Sequence, residues 1–520
     1  MKKLLLITAI AAATATPAIA QWSDNPAENV QISAEAVYDW DSRMLSDGSF
    51  VVYYNRPSRT VIYGDTIFSR KHVLMRYNSD GTPAWSEPLT VANTPNLTYT
   101  VLRNKYLLTD DEDCIYVNIV DCRYDTFGTP WGKMSLTVHK INKAGVQMWG
   151  DTGVSTDKNG HDVISLSNAI VLENGSLVLS WLQQDYLSGS STASTTKIAR
   201  ISSAGEVLWV NNLSPEGHAT TLVNGGNSQF IVVYLSGADP FSNTSICAQK
   251  MNTNGEAVFE HTVLYDAGGF KLRVIPDLEV LPVERGAIVS WYADPDGDSY
   301  EDAYCSYINR SGVLAFANGP SGLKLGNQPG RRRFLPAGVY DKVNKHIYYT
   351  WRESTGDEKS NSIVGQKINL NGELLWNEDG VIIAPMFEWT VDYPSVQIDS
   401  AGNPCFFYME NPLQKIKDSL VTGYAQKHSS VNGDCLWKTT FTTFSSPSKQ
   451  LKTRPYTNSQ WIATWAEGGG VGGNGYLYAQ NIREDGTLGN GSGISVAEEL
   501  PALLKSTSNK NFSITANPTA

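Results

Sequence analysis

"AQKMNTNGEAVF", residues 248–259, would be an ordinary turn between two strands if it occurred once. The chain writes it again as "GQKINLNGELLW" (365–376), "AQKHSSVNGDCLW" (425–437) and "YAQNIREDGTLG" (478–489). Aligned on the turn glycine, eight copies emerge, with Gly81, Gly145, Gly205, Gly255, Gly312, Gly372, Gly433 and Gly486 separated by 64, 60, 50, 57, 60, 61 and 53 residues. Four residues after the glycine stands an aromatic in seven of the eight: Trp85, Trp149, Trp209, Phe259, Phe316, Trp376 and Trp437. The last copy has Asn490 there.

Each copy is preceded by a second recurring element, an alternating apolar run rich in aromatics: "GSFVVYYN" (48–55), "GSLVLSWLQ" (175–183) and "SQWIATWAE" (459–467) are three of them. Alternation of period two with β-branched and aromatic enrichment reads as strand, and Asn-Gly, Asp-Gly or Ala-Gly between such runs reads as hairpin. No stretch holds a 3.6-residue period, so the expected class is all-β. Units of this length, with about four short strands each, are the pattern of propeller blades. A lone blade leaves both faces of its sheet bare, so blades must stack around an axis. The expectation is an eight-bladed β-propeller of four-stranded antiparallel blades over residues 21–497. Glycine supplies the positive φ of the turn, and the aromatic beyond it is placed to wedge between neighbouring sheets. The segment "NVQISAEAV" near residue 29, or the chain after the last turn, is expected to close the ring. Tandem β-sandwiches would need units of roughly 100 residues with linkers between them.

The chain opens "MKKLLLITAIAAATATPAIA", two lysines, an apolar run and a small-x-small ending at Ala18 and Ala20. This is the grammar of a secretory signal peptide over residues 1–20, cleaved before Gln21. No later segment is apolar for long enough to serve as a transmembrane helix. The expected location is secreted or on the outer-membrane surface, after export through the periplasm. Without Lys2 and Lys3 the chain carries 39 basic and 52 acidic residues, a formal charge of −13. That balance opposes nucleic acid and anionic lipid as partners, because both are held by clustered Lys and Arg. The one basic run, Arg331, Arg332 and Arg333, is expected to be a solvated loop.

Six cysteines permit disulfides in an oxidising compartment. Cys114 and Cys122 flank one alternating strand that would hold them about 26 Å apart, far beyond the roughly 4.4–6.8 Å that a bridge allows. Cys247 and Cys305 fall at nearly matching places in successive copies, and both a bridge and buried thiols stay open.

"DPDGDSYED" (294–302) is the strongest local constellation. Asp294, Asp296, Asp298 and Asp302 stand at alternating positions, as a hard cation such as calcium requires of its oxygen ligands. Its glycine departs from the EF-hand position, and the competing reading is an acidic hairpin tip. "TDDEDC" (109–114) is expected to be a solvated turn. No histidine pair has zinc spacing, no Gly-x-Ser-x-Gly elbow occurs, and no phosphate loop opens a helix. Paired glycosidase carboxylates leave no mark in sequence, since only geometry brings them together. Among the tryptophans outside the repeats, Trp131 in the long "CRYDTFGTPWGKMS" segment is the candidate exposed ligand-binding aromatic.

The Gly-x-x-x-Trp of "INLNGELLW" and "ISSAGEVLW" resembles the tryptophan-docking repeat of eight-bladed quinoprotein-type propellers, and the whole pattern is similar to exported propeller proteins of Bacteroidetes. The quinoprotein cofactor site depends on an adjacent cysteine pair, and this chain has no Cys-Cys dipeptide. "NSDGTPAW" has a weaker likeness to the Asp-box of sialidases. "NKNFSITANPTA" (509–520) resembles the start of a type IX secretion C-terminal sorting domain through Phe512, Ile514, Asn517 and Pro518, which makes residues 498–520 a linker and sorting segment and implies the secretion machinery as a partner. The expectation for function is a binding scaffold for a glycan or extracellular protein, with contacts on the variable loops 55–72, 121–134, 184–195 and 294–302. The alternative is a polysaccharide hydrolase or lyase with carboxylates in the axial funnel.

Overall fold

The computed structural model describes residues 21–490 except 63–64, 96–106, 124–132, 159, 187–191, 216, 238–242, 268–277, 392–393, 413–419, 446–447 and 469–474. The signal-peptide and sorting-segment expectations, and Trp131, lie outside the described residues.

Eight antiparallel sheets form in chain order. Blade one comprises Trp40–Met44, Phe50–Ile62, Asp65–Tyr77 and Leu89–Pro95. The same up-and-down order recurs in each following blade, and blade seven splits its first strand into Trp389–Val391 and Ser395–Ile398. Blade eight supplies only three strands from the C-terminal part, Ser448–Thr453, Gln460–Glu467 and Tyr476–Arg483, and Val30–Gln31 pairs with the last of these as the fourth. The ring is therefore closed by the N-terminal segment, one of the two routes expected.

The ring itself follows from where the apolar side chains go. Alternation sends odd and even residues of each second strand to opposite faces. Phe50 and Val52 pack with Ile462, Ala466 and Leu477 of blade eight, whereas Val51 and Tyr53 pack with Leu107, Ile115 and Val117 of blade two. Every blade does likewise, so the eight apolar clusters sit one in each gap between neighbours. Trp181, Trp291, Trp351 and Trp465 are fully buried at these joints, each removing about 150–250 Å² from water. First strands of successive blades also lie side by side, Trp40–Met44 against Leu107–Thr109 and Ser395–Ile398 against Ser448–Thr453 among them. They line the axis.

The repeated turn is the second joint. All eight of its glycines have positive φ, from 77° at Gly433 to 91° at Gly205. Each aromatic lies against the glycine of the following blade: a methyl group on Gly205 would stand 2.9 Å from Trp149, and one on Gly486 would stand 2.9 Å from Trp437. The indole N–H then donates to the carbonyl two residues before that glycine, from Trp85 to Lys143 at 3.1 Å, from Trp209 to Thr253 at 3.0 Å and from Trp437 to Glu484 at 3.1 Å. Copy eight lacks its aromatic, and Trp22 takes the place. A methyl group on Gly81 would meet its ring at 2.8 Å, and its indole N–H donates to Ser79 at 2.8 Å. Trp22 is 4% exposed. The same N-terminal stretch thus completes both the sheet and the peg of blade eight.

Two expectations need correction here. Residues 55–72 are not a loop: Phe50–Ile62 and Asp65–Tyr77 pair along their whole length as an extended hairpin. In "TDDEDC" only Asp111 and Glu112 are exposed. Asp113 is buried, at φ 60°, because it accepts from Ser46 N–H and Oγ and from Lys143 Nζ, each at 2.7 Å, tying blade two to blade one. Cys247 and Cys305 are buried free thiols in different gaps, blades three/four and five/six, which settles the choice left open above. His139 and His428 are buried in the hairpins, and burial pulls His139 down to about 4.

Candidate functional site

Antiparallel succession puts the glycine turns and the turns after each first strand on one face, and the connections after second and fourth strands on the other. The first strands run between these faces along the axis. In six blades the first strand has a residue paired with the one just before the strand-end aromatic: Asp41 opposite Tyr53, Asn168 opposite Ser180, Thr221 opposite Val233, Glu279 opposite Ser290, Ala337 opposite Thr350 and Lys452 opposite Thr464. Equal register places these six in one layer around the axis. All except Asp41 are half-buried. A packed core would be apolar at such positions, and this layer holds two carboxyls, an amide, a hydroxyl and an ammonium.

Its most charged part spans blades eight and one. Asp41, 7% exposed, receives Arg43 Nη1 at 3.0 Å and Nη2 at 3.0 Å, Arg454 Nη2 at 2.8 Å and Lys452 Nζ at 3.5 Å. Arg43 and Arg454 each stand two residues beyond the layer position of their strand. Asp41 Oδ1 also accepts from Ser42 N–H at 2.9 Å, and Arg43 Nη1 donates to Ser42 C=O at 2.7 Å. Those two backbone groups belong to the unpaired inner edge of the first strand, so the ion pair faces the axis. Burial acting alone would raise the Asp41 carboxyl, but Arg43, then Lys452 and Arg454, outweigh it and hold the group well below the carboxylate range. Burial draws Arg454 down to about 10 and lowers Lys452 against the pull of Asp41.

Glu279 occupies the same layer on blade five, opposite blade one in a ring of eight. Burial pushes its carboxyl up to about 8, against a 2.7 Å hydrogen bond from Gly338 N–H. Between blades seven and eight the wall is hydroxyl-lined: Ser395 Oγ meets Thr453 Oγ1 at 2.8 Å and Gln397 Nε2 donates to it at 3.3 Å.

At the face of the second-to-third-strand connections, the carboxylate oxygens of Asp294, Asp296 and Asp298 lie within 4.8 Å of one another. The fourth expected ligand, Asp302, is elsewhere: it begins the next strand and pairs with Arg333 at 2.6 Å and Lys324 at 2.6 Å. Asp294 Oδ2 accepts from Ser299 N–H and Asp298 Oδ1 from Tyr300 N–H, at 3.1 and 2.8 Å, so the loop is also held by its own backbone. With one oxygen from each, the three carboxylates supply at most half of the roughly six to eight oxygens that calcium takes.

Arg331–Arg333 are not a solvated loop. They open the first strand of blade six, Arg331–Asp341, and Arg333 is 1% exposed. Arg332 grips Glu301 with Nε at 2.7 Å and Nη2 at 2.9 Å and also meets Glu358, while Arg333 reaches Glu353 at 3.3 Å. The run reads as basic in sequence because its acidic partners come from two blades and four separate positions.

The class defined here is an eight-bladed β-propeller with a polar, charge-bearing axis. The sequence matches no protein-family model and no curated protein. Among solved structures, the polysaccharide lyase Uly1 is similar at 9% identity and TM-score 0.45, over 77% of this chain and 94% of that one. An α-L-arabinanase of Penicillium chrysogenum in complex with arabinobiose is similar at 12% identity and TM-score 0.33, over 62% and 94%. A protein of unknown function from Dyadobacter fermentans is similar at 8% identity and TM-score 0.37, over 89% and 99%. Likeness at this level says nothing of activity. No helix among the described residues is long and apolar enough to cross a membrane.

Proposed function

We propose that this protein is a secreted or surface-displayed binding scaffold whose ligand, a glycan or an extracellular protein, seats on the connection face of the ring and reaches into the axis. The observation that carries this reading is the polar layer at Asp41, Asn168, Thr221, Glu279 and Lys452, which sets polar and charged groups at equal register around the axis. A glycan-array screen of the mature protein tests it, run with and without EDTA. Saturable binding supports the scaffold, and loss under EDTA assigns part of the contact to the loop of Asp294, Asp296 and Asp298. Absence of binding to glycans and to a panel of extracellular matrix proteins rejects it. In the same reading residues 1–20 are the export signal, and N-terminal sequencing of the native protein should begin at Gln21.

One observation favours a second reading. Burial pushes the Glu279 carboxyl up to about 8 while three cations hold Asp41 well below the carboxylate range, the direction of separation that an acid and its partner carboxylate need in glycoside cleavage. The two stand on opposite blades, and Asp41 is engaged by three cations, which places binding ahead of hydrolysis. Reducing-sugar release that disappears in Glu279→Gln would reverse that order.

A further inference from the structure

We infer that the wall between blades eight and one is a subsite for the carboxylate of an acidic saccharide, held by Arg43, Arg454 and Lys452; this rests on the ligand-binding reading above. Three cations converge there on one carboxylate. Among the described residues Asp41 is the only acid paired with any of them. The group therefore keeps two positive charges in excess, although the whole chain carries a formal charge of −11.

An excess of that kind costs stability where water is scarce. Side-chain exposures are 14% for Arg454, 23% for Arg43 and 31% for Lys452. A purely structural pair would need one cation, and Asp41 with Arg43, two residues on in the same strand, already forms it in two-pronged geometry. Arg454 and Lys452 are added from the neighbouring blade. Arg454 donates through Nε to Ser42 Oγ at 2.7 Å and through Nη2 to Asp41, which leaves its Nη1 N–H groups with no acceptor among the described residues. Lys452 spends one donor on Trp40 C=O at 2.7 Å. The guanidinium fork fits a planar carboxylate in two-pronged fashion, and an ammonium beside it adds a point charge.

The remainder of the layer favours a saccharide over an acidic peptide. Asn168, Thr221 and Glu279, on three consecutive blades of the layer, bring an amide, a hydroxyl and a carboxyl that burial pushes up to about 8, the mixed donors and acceptors that a ligand carrying many hydroxyls requires. An acidic peptide would present a row of carboxylates, and the cation excess is confined to two adjacent blades.

The test is calorimetric titration of the mature protein with a galacturonate oligomer, its carboxyl-reduced neutral counterpart and poly-glutamate. We expect the galacturonate oligomer to bind at least tenfold more tightly than either other probe, and Arg43→Gln and Lys452→Gln each to weaken it about tenfold. Added salt should weaken wild-type binding of the acidic oligomer but not of the neutral one, which reads the charge term without any variant. Equal affinity for acidic and neutral oligomers overturns the subsite and leaves the scaffold standing. So does acidic binding unchanged in both folded variants. Tighter binding of poly-glutamate reassigns the subsite to acidic peptides and overturns the saccharide. No binding of any probe, together with a blank glycan array, removes both readings.

Discussion

The glycine-turn joints and the axial wall are built on opposite rules. At the joints the same residue types recur in each blade, with a flat ring on a glycine and, where the ring is an indole, an N–H on the carbonyl before it in most cases. On the axis, six positions of equal register hold Asp, Asn, Thr, Glu, Ala and Lys, no two alike. Repetition marks what the ring needs from every blade. Variation at fixed register marks what is free to serve a ligand, which needs an asymmetric set of groups.

Four experiments test that contrast. Trp22→Ala removes a buried indole from the one joint made by chain segments from opposite ends, and should cost about 4 kcal/mol in denaturant unfolding. A loss below about 1 kcal/mol would mean that the ring closes without its eighth peg. Asp41→Asn leaves three cations facing one another and should cost about 3 kcal/mol at neutral pH. The penalty should shrink in acid, because a carboxyl held low in the folded state gives its stability above the unfolded pKa of about 3.9 and loses it as pH falls through the folded value. The gap between the unfolding midpoints of the two proteins should therefore begin to narrow below about pH 4 and go on narrowing as the acid strengthens.

Gly205→Ala and Gly150→Ala separate conformation from contact. Both glycines have positive φ, 91° and 77°, but a methyl group meets Trp149 at 2.9 Å in the first and nothing within 4 Å in the second. The expected costs are about 3 and about 1 kcal/mol, and equal costs would deny the ring its close seat. Glu279→Gln has the opposite pH sign. A carboxyl raised in the folded state to about 8 gives its stability below the unfolded value and loses it as pH rises. The variant should thus gain thermal stability relative to wild type between about pH 4.5 and 8, and a flat difference would show that Glu279 titrates normally.

How much was legible follows from the same contrast. The turn glycines and their aromatics could be read because each copy corroborates the others. Trp22 could not be assigned, though a signal existed: copy eight ends in Asn490, so some other residue had to fill its peg. The loop Asp294–Asp298 was legible as a cluster because its members are local, whereas Asp302 was miscounted among them because strand pairing turns it toward Lys324 and Arg333. Arg331–Arg333 looked solvated since Glu301, Glu353 and Glu358 lie more than twenty residues from them or across a hairpin.

By itself the sequence determined the class and number of blades, because a β-hairpin needs only local φ preferences, alternation and a glycine, and all of these are written within about ten residues. Only the tertiary structure decided what the axis is. Asp41 and Lys452 are more than four hundred residues apart in the chain, yet ring closure sets them 3.5 Å from each other. Charge state, burial and ligand geometry depend on such distances, and no local pattern encodes them.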